Sequence, residues 1–230
     1  MLILALETSQ TAGGVALLND GELVVEHPLA TEARSARTLA PAMTTVLNAA
    51  GVTAQQLGLI AVTRGPGSFT GLRIGVTAAK TAAWSLGIPL VAVETTNVLA
   101  AQVVATCDRS ANAVRVAIDA FRKEVFAAEF HLDEMGKPQR VGETRLQSVD
   151  DWIAGCGPDT IVTGPIVTRL LERLPAGAIV VPPAEREPRA ATVGRLAYRE
   201  FLTGRRDDPF QLTPLYLRPS YAEEARAVKS

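Results

Sequence analysis

The sequence predicts an α/β protein made of two copies of one βββαβα unit. The first observation is a pair of apolar, strand-length runs that each end in a carboxylate, LILALE at 2–7 and VRVAID at 114–119. Each run is followed by two further strand patterns and then by a helix pattern. The second observation is a later pair of related strands, LIAVTRGP at 59–66 and TIVTGP at 160–165. Self-similarity in this order indicates an internal duplication.

A duplicated unit of this kind is the plan of the actin, hexokinase and Hsp70 class, the actin-like (ASKHA) fold. We therefore predict an N-terminal lobe over 1–108 and a C-terminal lobe over 109–230, each a mixed sheet flanked by helices. The helix patterns of the second half are shorter, which predicts a reduced second lobe.

The first lobe alternates strand-length apolar runs with helical patterns. The predicted elements are strands at 2–6, 15–18 and 22–27, a helix over 34–50, a strand at 59–63, a helix over 69–86, a strand at 88–93 and a helix over 95–106. Asn19, Asp20 and Gly21 tolerate positive φ and predict a hairpin turn. Gly87 predicts the end of the long helix, because glycine adopts the left-handed conformation that closes many helices.

The second lobe repeats the order with shorter helices. The predicted elements are strands at 114–118, 124–130 and 139–146, a helix over 149–154, a strand at 160–163, a helix over 166–174, a strand at 178–181 and a helix over 190–202. Ser148 is placed to accept a hydrogen bond from the first free N–H groups of the 149–154 helix. Gly204 predicts the end of the last helix.

Composition limits the classes of function. The chain has 230 residues, a formal net charge of −1 and 47% apolar residues, which allows a sizeable core and argues against a strongly basic nucleic-acid-binding surface, although a local patch remains open. Cys107 and Cys156 form no CxxC pair and suit a reducing compartment. Neither a signal peptide nor a membrane span is evident, so we expect a cytoplasmic protein without membrane contact.

A glycine-rich loop joins the strand at 59–63 to the longest helix. It comprises Arg64, Gly65, Pro66, Gly67, Ser68, Phe69 and Thr70. Gly65, Gly67 and Gly71 give GxGxxxG, one residue longer than the dinucleotide fingerprint, and no Lys-Ser/Thr pair opens the helix as a P-loop requires. We interpret the glycines as a tight structural turn, with Ser68 or Thr70 as the helix cap.

Small residues recur on one face of the same helix. Gly71, Gly75 and Ala79 are spaced by one helical turn. Each glycine costs about 1 kcal/mol against alanine inside a helix, so something must approach this face closely. Two interpretations remain open, packing on the chain's own sheet and contact with a partner helix.

Two carboxylates close the matching first strands of the lobes. In actin-like proteins such carboxylates face each other across a cleft and hold the metal of ATP, so Glu7 and Asp119 are weak candidates for a nucleotide site. Two carboxylates also suit general acid and base catalysis, or they simply end the strands and accept hydrogen bonds. An adenosine loop would require a glycine pair in the second lobe, where only Gly164 followed by Pro165 is present.

Four blocks of the sequence resemble one protein family over essentially the whole chain. They are ILALETS at 3–9, TRGPGSFTGLRIG at 63–75, DAFRKEVFAAEF at 119–130 and PLYLRPSY at 214–221. These blocks are similar, in the same order, to the TsaB (YeaZ) family of tRNA threonylcarbamoyladenosine biosynthesis proteins. Glu7 is a departure, because that family usually has aspartate there, and Ser35 stands where family members often have histidine.

The resemblance implies a non-catalytic subunit without a cofactor of its own. Its expected partners are the paralogue TsaD and the ATPase TsaE, with a homodimer when TsaD is absent and with tRNA met indirectly through the complex. The resemblance places the partner contact on the helices 34–50 and 69–86. The interface residues predicted there are Leu39, Met43, Gly71, Gly75 and Ala79.

An enzymatic alternative stays open beside this scaffold role. The actin-like class includes ATP-dependent phosphotransferases, and older names in the family describe a glycoprotease. TsaD-like proteins bind their metal through a His-x-x-x-His helix, whereas this chain has only His27 and His131, one in each half. We therefore expect neither a TsaD-type metal centre nor a protease site.

Overall fold

The structure is a computed structural model that describes residues 1–29, 35–103 and 111–218. The strands are β1 (Leu2–Glu7), β2 (Gly14–Asn19), β3 (Glu22–Pro28), β4 (Leu57–Gly65), β5 (Leu90–Glu94), β6 (Ala113–Asp119), β7 (Glu124–Leu132), β8 (Pro138–Ser148), β9 (Thr160–Thr163) and β10 (Ile179–Val180). The helices are α1 (Ser35–Ala49), α2 (Phe69–Leu86), α3 (Thr95–Val103), α4 (Val149–Ala154), α5 (Val167–Leu170) and α6 (Ala190–Leu202). Some predictions fall on residues outside these described ranges. They concern the first residue of α1, the last residues of α3, Cys107 and the 219–221 end of the fourth sequence block.

The strands form two five-stranded mixed sheets with matching topology. The first has the order β3-β2-β1-β4-β5 and the second the order β8-β7-β6-β9-β10, so corresponding strands occupy corresponding places. In each sheet the first three strands pair antiparallel and the last two join in parallel. The duplicated α/β plan predicted from the two carboxylate-ended runs is confirmed.

Local sequence signals explain the hairpin and the long helix. Asp20 and Gly21 have φ values of 49° and 85°, so the turn between β2 and β3 uses the left-handed conformations that these residues tolerate. Ser68 caps α2 by accepting a hydrogen bond from the Gly71 amide at 3.2 Å. Gly87 ends α2 with φ of 65°.

The second lobe differs from the prediction in several bounds, and two of these differences have a clear physical reason. The helix predicted over 166–174 is α5 followed by a short 3₁₀ turn, Leu171–Arg173. Leu174 is extended because the following Pro175 disfavours the helical conformation of its predecessor. The third strand runs over Pro138–Ser148 rather than 139–146, since β8 pairs with nearly the whole of β7.

Helices cover both faces of the first sheet. One face packs against α1 and α2, with Leu4, Leu17 and Ile60 in the core. The other face packs against α6, which follows the second sheet in the chain and contributes Ala191, Val193 and Ala197. The division into lobes at 108 and 109 remains a prediction, because those residues lie outside the described ranges.

Candidate functional site

A cleft of about 770 Å³ lies where the segments that follow β1, β4, β6 and β9 meet. In each lobe these are the carboxyl ends of the two central strands, which is where ligands bind in open α/β sheets. Residues of the glycine-rich loop, the turn after β6 and the last described segment form its walls. The lining residues used below are Gln10, Gly67, Ser68, Phe69, Asp119, Arg169, Glu187, Tyr216 and Arg218.

The glycine-rich loop is held against the segment that follows β1. The Ser68 amide donates to the Ser9 carbonyl oxygen at 2.7 Å. A Cβ added to Gly67 would lie 2.2 Å from that carbonyl oxygen, so only glycine fits. Arg64 forms an ion pair with Glu94 at 3.2 Å. The carbonyl oxygen of Arg64 accepts a hydrogen bond from the Leu215 amide at 2.7 Å. These contacts support the interpretation of the loop as a structural turn.

The small-residue face of α2 packs inside the chain. A Cβ on Gly71 would lie 2.1 Å from the Thr8 carbonyl oxygen, and a Cβ on Gly75 would lie 2.1 Å from Thr8 Oγ1. Ala79 is fully buried in the core beneath α2. The assignment of these three residues to a partner contact is therefore wrong. The close approach inferred from them is the packing of α2 on its own lobe.

The two predicted interface residues of α1 differ in exposure. Leu39 is 2% exposed and belongs to the core, so its assignment to a partner surface is also wrong. Met43 is half-buried at the edge of that core. The partner prediction for Met43 remains open, because part of its side chain reaches the outer surface.

Glu7 is a fully buried carboxyl group at the end of β1. Its Oε1 accepts hydrogen bonds from the Ser9 amide at 2.5 Å and from Ser9 Oγ at 2.6 Å. Burial raises the pKa of Glu7 to about 7, and the two Ser9 hydrogen bonds only partly oppose that rise. Glu7 does not line the cleft, so the structure does not place it beside a ligand there.

Asp119 lines the cleft, and both of its carboxylate oxygens are engaged. Oδ1 accepts from the Phe121 amide at 2.8 Å, and Oδ2 pairs with the guanidinium of Arg169. Glu187 lies on the same cleft, and burial raises the pKa of its carboxyl group. The structure thus pairs Asp119 with Arg169, whereas the charge of Glu187 acts on Glu7 and raises the pKa of that carboxyl further.

The second-lobe glycine proposed for an adenosine loop has a structural explanation. Gly164 has φ of 116°, and a Cβ there would lie 2.0 Å from the Ala117 carbonyl oxygen. The backbones of β6 and the loop after β9 therefore require glycine at this point. Pro165 and Ile166, which follow it, line the cleft.

The last described segment connects α2 to the second lobe along the cleft. Lys80 Nζ donates to the Leu212 carbonyl oxygen at 2.9 Å, and Arg73 Nε donates to the Tyr216 hydroxyl at 2.9 Å. The Phe69 and Tyr216 rings lie 5.1 Å apart. Arg218 then donates to the Ala120 carbonyl oxygen of the second lobe at 2.5 Å. This segment therefore ties the two sides of the cleft together.

Several cleft residues escaped the sequence analysis. Glu187 and Arg169 belong to no motif, and only the folded chain places them on the same cleft as Asp119. Tyr216 and Arg218 lie in the block PLYLRPSY. This block indicates the family, but it does not predict that these two residues line the cleft.

The described part of the chain contains neither a metal-ligand cluster nor a membrane-spanning helix. Within residues 1–29, 35–103 and 111–218, no group of three or more His, Cys, Asp or Glu side chains is arranged to hold a metal ion. Among the same residues, no helix is long and apolar enough to cross a membrane.

Comparison with known proteins connects this architecture to a family. The model of the family described as TsaD, tRNA N6-adenosine threonylcarbamoyltransferase, matches residues 26–157. The chain is 31% identical to the tRNA threonylcarbamoyladenosine biosynthesis protein TsaB of Escherichia coli (strain K12), over 96% of each chain. It is 44% identical to the protein of the same name from Bacillus subtilis (strain 168), over 44% of each chain.

Solved structures show the same architecture. The structure of YeaZ from Pseudomonas aeruginosa superposes with a TM-score of 0.80 at 28% identity, covering 94% of this chain and 99% of that one. The fold alone is shared with the activator of the 2-hydroxyisocaproyl-CoA dehydratase from Clostridium difficile, at 10% identity and a TM-score of 0.51. The fold is actin-like, and the chain belongs to the TsaB (YeaZ) family of tRNA threonylcarbamoyladenosine biosynthesis proteins.

Proposed function

We propose that this chain is a non-catalytic subunit that binds a TsaD-type paralogue during formation of the threonylcarbamoyl group on adenosine 37 of tRNAs reading ANN codons. A TsaE-type ATPase joins them in this proposal, and the chain forms a homodimer when the paralogue is absent. The full-length match to the E. coli protein named for threonylcarbamoyladenosine biosynthesis supports the pathway. The match of 26–157 to the TsaD family model supports a paralogous relationship to that partner.

The observation that carries the binding role is the uncharged outer surface of α1 and α2. From Thr38 to Ala49, α1 has no charged residue, although about half of these residues are exposed. In α2 the charged residues are Arg73, at its start, and Lys80, which is held by the Leu212 carbonyl oxygen. Solvent-facing helices of monomeric proteins normally carry a charged face, so a surface of this kind marks an interaction site.

Apolar side chains contribute to this surface. Trp84 is 66% exposed at the end of α2, and large exposed aromatic residues are typical anchors of protein interfaces. On the same two helices, Met43, Ile74 and Ala78 are half-buried, while Thr81 is exposed. We call these five residues the outer α1–α2 face. It replaces the buried small-residue face as the proposed partner contact.

A charge placed on this face tests the proposal. Thr81→Glu puts a carboxylate on an exposed helical position, so stability should change by less than about 0.5 kcal/mol. Association with the TsaD-type partner, measured by titration calorimetry, should weaken by several kcal/mol because the carboxylate would be buried without a counter-ion. Gln55→Glu, an exposed change outside the outer α1–α2 face, is the control and should bind as the wild type does. Unchanged association of Thr81→Glu would overturn the proposed contact.

The pathway role has its own test. The modification is reconstituted from purified components, and each component is omitted in turn while threonylcarbamoyladenosine in tRNA is measured. We expect the product to disappear without this chain. Full product in its absence would contradict the proposed role.

A further inference from the structure

A second depression lies between α3, α6 and the start of β8, and it shares no lining residue with the cleft. Two adjoining hollows of about 600 and 220 Å³ meet at Ala101, Leu196 and Arg199. We call the two hollows together the α6 groove. Its cations are Lys137, Arg140, Arg189, Arg195 and Arg199.

The packing of α6 explains why two arginines face this groove. Gly194 lies so close to the first sheet that a Cβ there would come 2.3 Å from Leu18 Cδ1. Ala191 and Ala197 are buried on the same side of the helix. Arg195 and Arg199 flank that buried side, four residues apart and both exposed. Residues at this spacing are neighbours on a helix surface, so their guanidinium groups point into the same groove.

The charges of the groove do not cancel. Arg140 forms an ion pair with Glu94 at 2.8 Å and donates a hydrogen bond to Asn97 Oδ1 at 2.7 Å. Arg189 forms an ion pair with Glu26 at 2.5 Å. Within residues 1–29, 35–103 and 111–218, neither Arg195 nor Arg199 forms an ion pair or a side-chain hydrogen bond.

Two carboxylates lie at the groove. Glu200 pairs with Arg205, and Glu185 lines the smaller hollow with Arg189, Arg195 and Arg199. Lys137 is exposed at the other end of the groove, where Asp133 is its acidic neighbour. The α6 groove therefore presents two free guanidinium groups and an ammonium group on a chain whose net charge is only −1.

We infer that the α6 groove binds the phosphodiester backbone of RNA, and that the RNA is the tRNA substrate of the proposed function, on which this inference rests. A guanidinium group offers five donors in a planar fork that matches two oxygens of one phosphate. Adjacent arginines on one helix face suit successive phosphates of a strand. Phosphate contacts fix the register of a nucleic acid and do not read its sequence. The chain would then position tRNA directly rather than only through its partner.

The test measures tRNA binding by fluorescence anisotropy with the chain alone and with the chain bound to the TsaD-type protein. The variant is Arg195→Glu with Arg199→Glu. The control is Arg145→Glu with Arg173→Glu, which makes the same change of net charge at exposed arginines outside the groove. We expect the groove variant to bind tRNA at least about tenfold more weakly and the control to bind within about threefold of the wild type.

The salt dependence separates phosphate contacts from loss of fold. The slope of log affinity against log salt should fall by about 1 to 2 in the groove variant, as expected for one or two lost phosphate contacts. Arg195→Lys with Arg199→Lys keeps both charges and loses the planar fork, so it should keep the salt slope of the wild type and bind more tightly than the charge-reversal variant. If the charge-reversal variant fails to fold, Arg195→Gln with Arg199→Gln gives the same comparison.

Three outcomes would overturn the inference. The first is wild-type affinity in the groove variant. The second is the absence of tRNA binding by the wild type, both alone and bound to the TsaD-type protein. The third is displacement of tRNA by polyglutamate at equal charge, which would assign the groove to an acidic peptide. Failure of the proposed function is seen in a different measurement, the association of Thr81→Glu with the partner. If Thr81→Glu leaves partner association intact while the groove variant loses tRNA, the inference stands and only the partner contact is wrong.

Discussion

Gly75 of α2 lies directly against Thr8, the residue that follows β1. A methyl group on Gly75 would come 2.1 Å from Thr8 Oγ1 and 3.2 Å from its Cβ. Thr8 is itself buried, so neither side has room to move. This contact fixes how closely α2 sits on the first sheet, and it determines which face of α2 is left for a partner.

Gly75→Ala should destabilise the protein by about 1–3 kcal/mol, because the added methyl group overpacks a filled site. Thr8→Ala in the same chain removes the nearest atom and should recover part of that loss. Thr77→Ala, at an exposed position of the same helix, is the control and should change stability by less than about 0.5 kcal/mol. The free energy of unfolding in urea measures all of them. Equal stability of Gly75→Ala and the wild type would contradict the packing.

Gly67→Ala should also destabilise by about 1–3 kcal/mol, because its Cβ would lie 2.2 Å from the Ser9 carbonyl oxygen and the backbone φ is 156°. Gly157→Ala is the matched control, since the nearest atom to its Cβ would be 3.8 Å away. Urea unfolding compares the two. If both variants lose the same stability, the loop does not require glycine at 67.

Glu7 should make stability depend on pH. Its pKa is about 7 in the folded protein against 4.5 in the unfolded chain, so the folded state holds a proton that the unfolded state has lost. This contribution is fully present below pH 4.5 and is lost as pH rises through about 7. The size is on the order of 3 kcal/mol.

Comparison with Glu7→Gln isolates that contribution from other groups. Between pH 5 and pH 8, the free energy of unfolding of the wild type should fall relative to that of Glu7→Gln. Glu134→Gln, an exposed change, is the control and should follow the wild type. Parallel curves for the wild type and Glu7→Gln would show that Glu7 titrates normally.

The fold was predictable because its signals are local and repeated. The runs LILALE and VRVAID placed β1 and β6, and the Asn19-Asp20-Gly21 turn placed the first hairpin. The bounds of α2 followed from Ser68 and Gly87. The short α5 was mispredicted because the effect of Pro175 on Leu174 reaches back into the preceding turn.

The site was harder to predict, because the exposure of its residues depends on which face of each helix or strand packs against the rest of the chain. The spacing of Gly71 and Gly75 shows that something approaches closely, but not whether it is a partner helix or Thr8. The carboxylates at the ends of β1 and β6 have equivalent places in their sheets, yet Glu7 is buried and Asp119 lines the cleft. The sequence does not show that Arg195 and Arg199 line one groove. That placement depends on the packing of α6 against the first sheet, which leaves both side chains exposed.

The central claim is that this chain acts by binding and not by chemistry in its own cleft. The decisive measurement is the yield of threonylcarbamoyladenosine in the reconstituted reaction with Thr81→Glu and with Asp119→Asn, after thermal melts show that both variants fold. Thr81→Glu should reduce the yield at least tenfold, because it places a charge in the proposed contact. Asp119→Asn should leave the yield unchanged, because the Asp119 carboxylate is already engaged by Arg169 and the Phe121 amide. A normal yield with Thr81→Glu and a lost yield with Asp119→Asn would contradict the account.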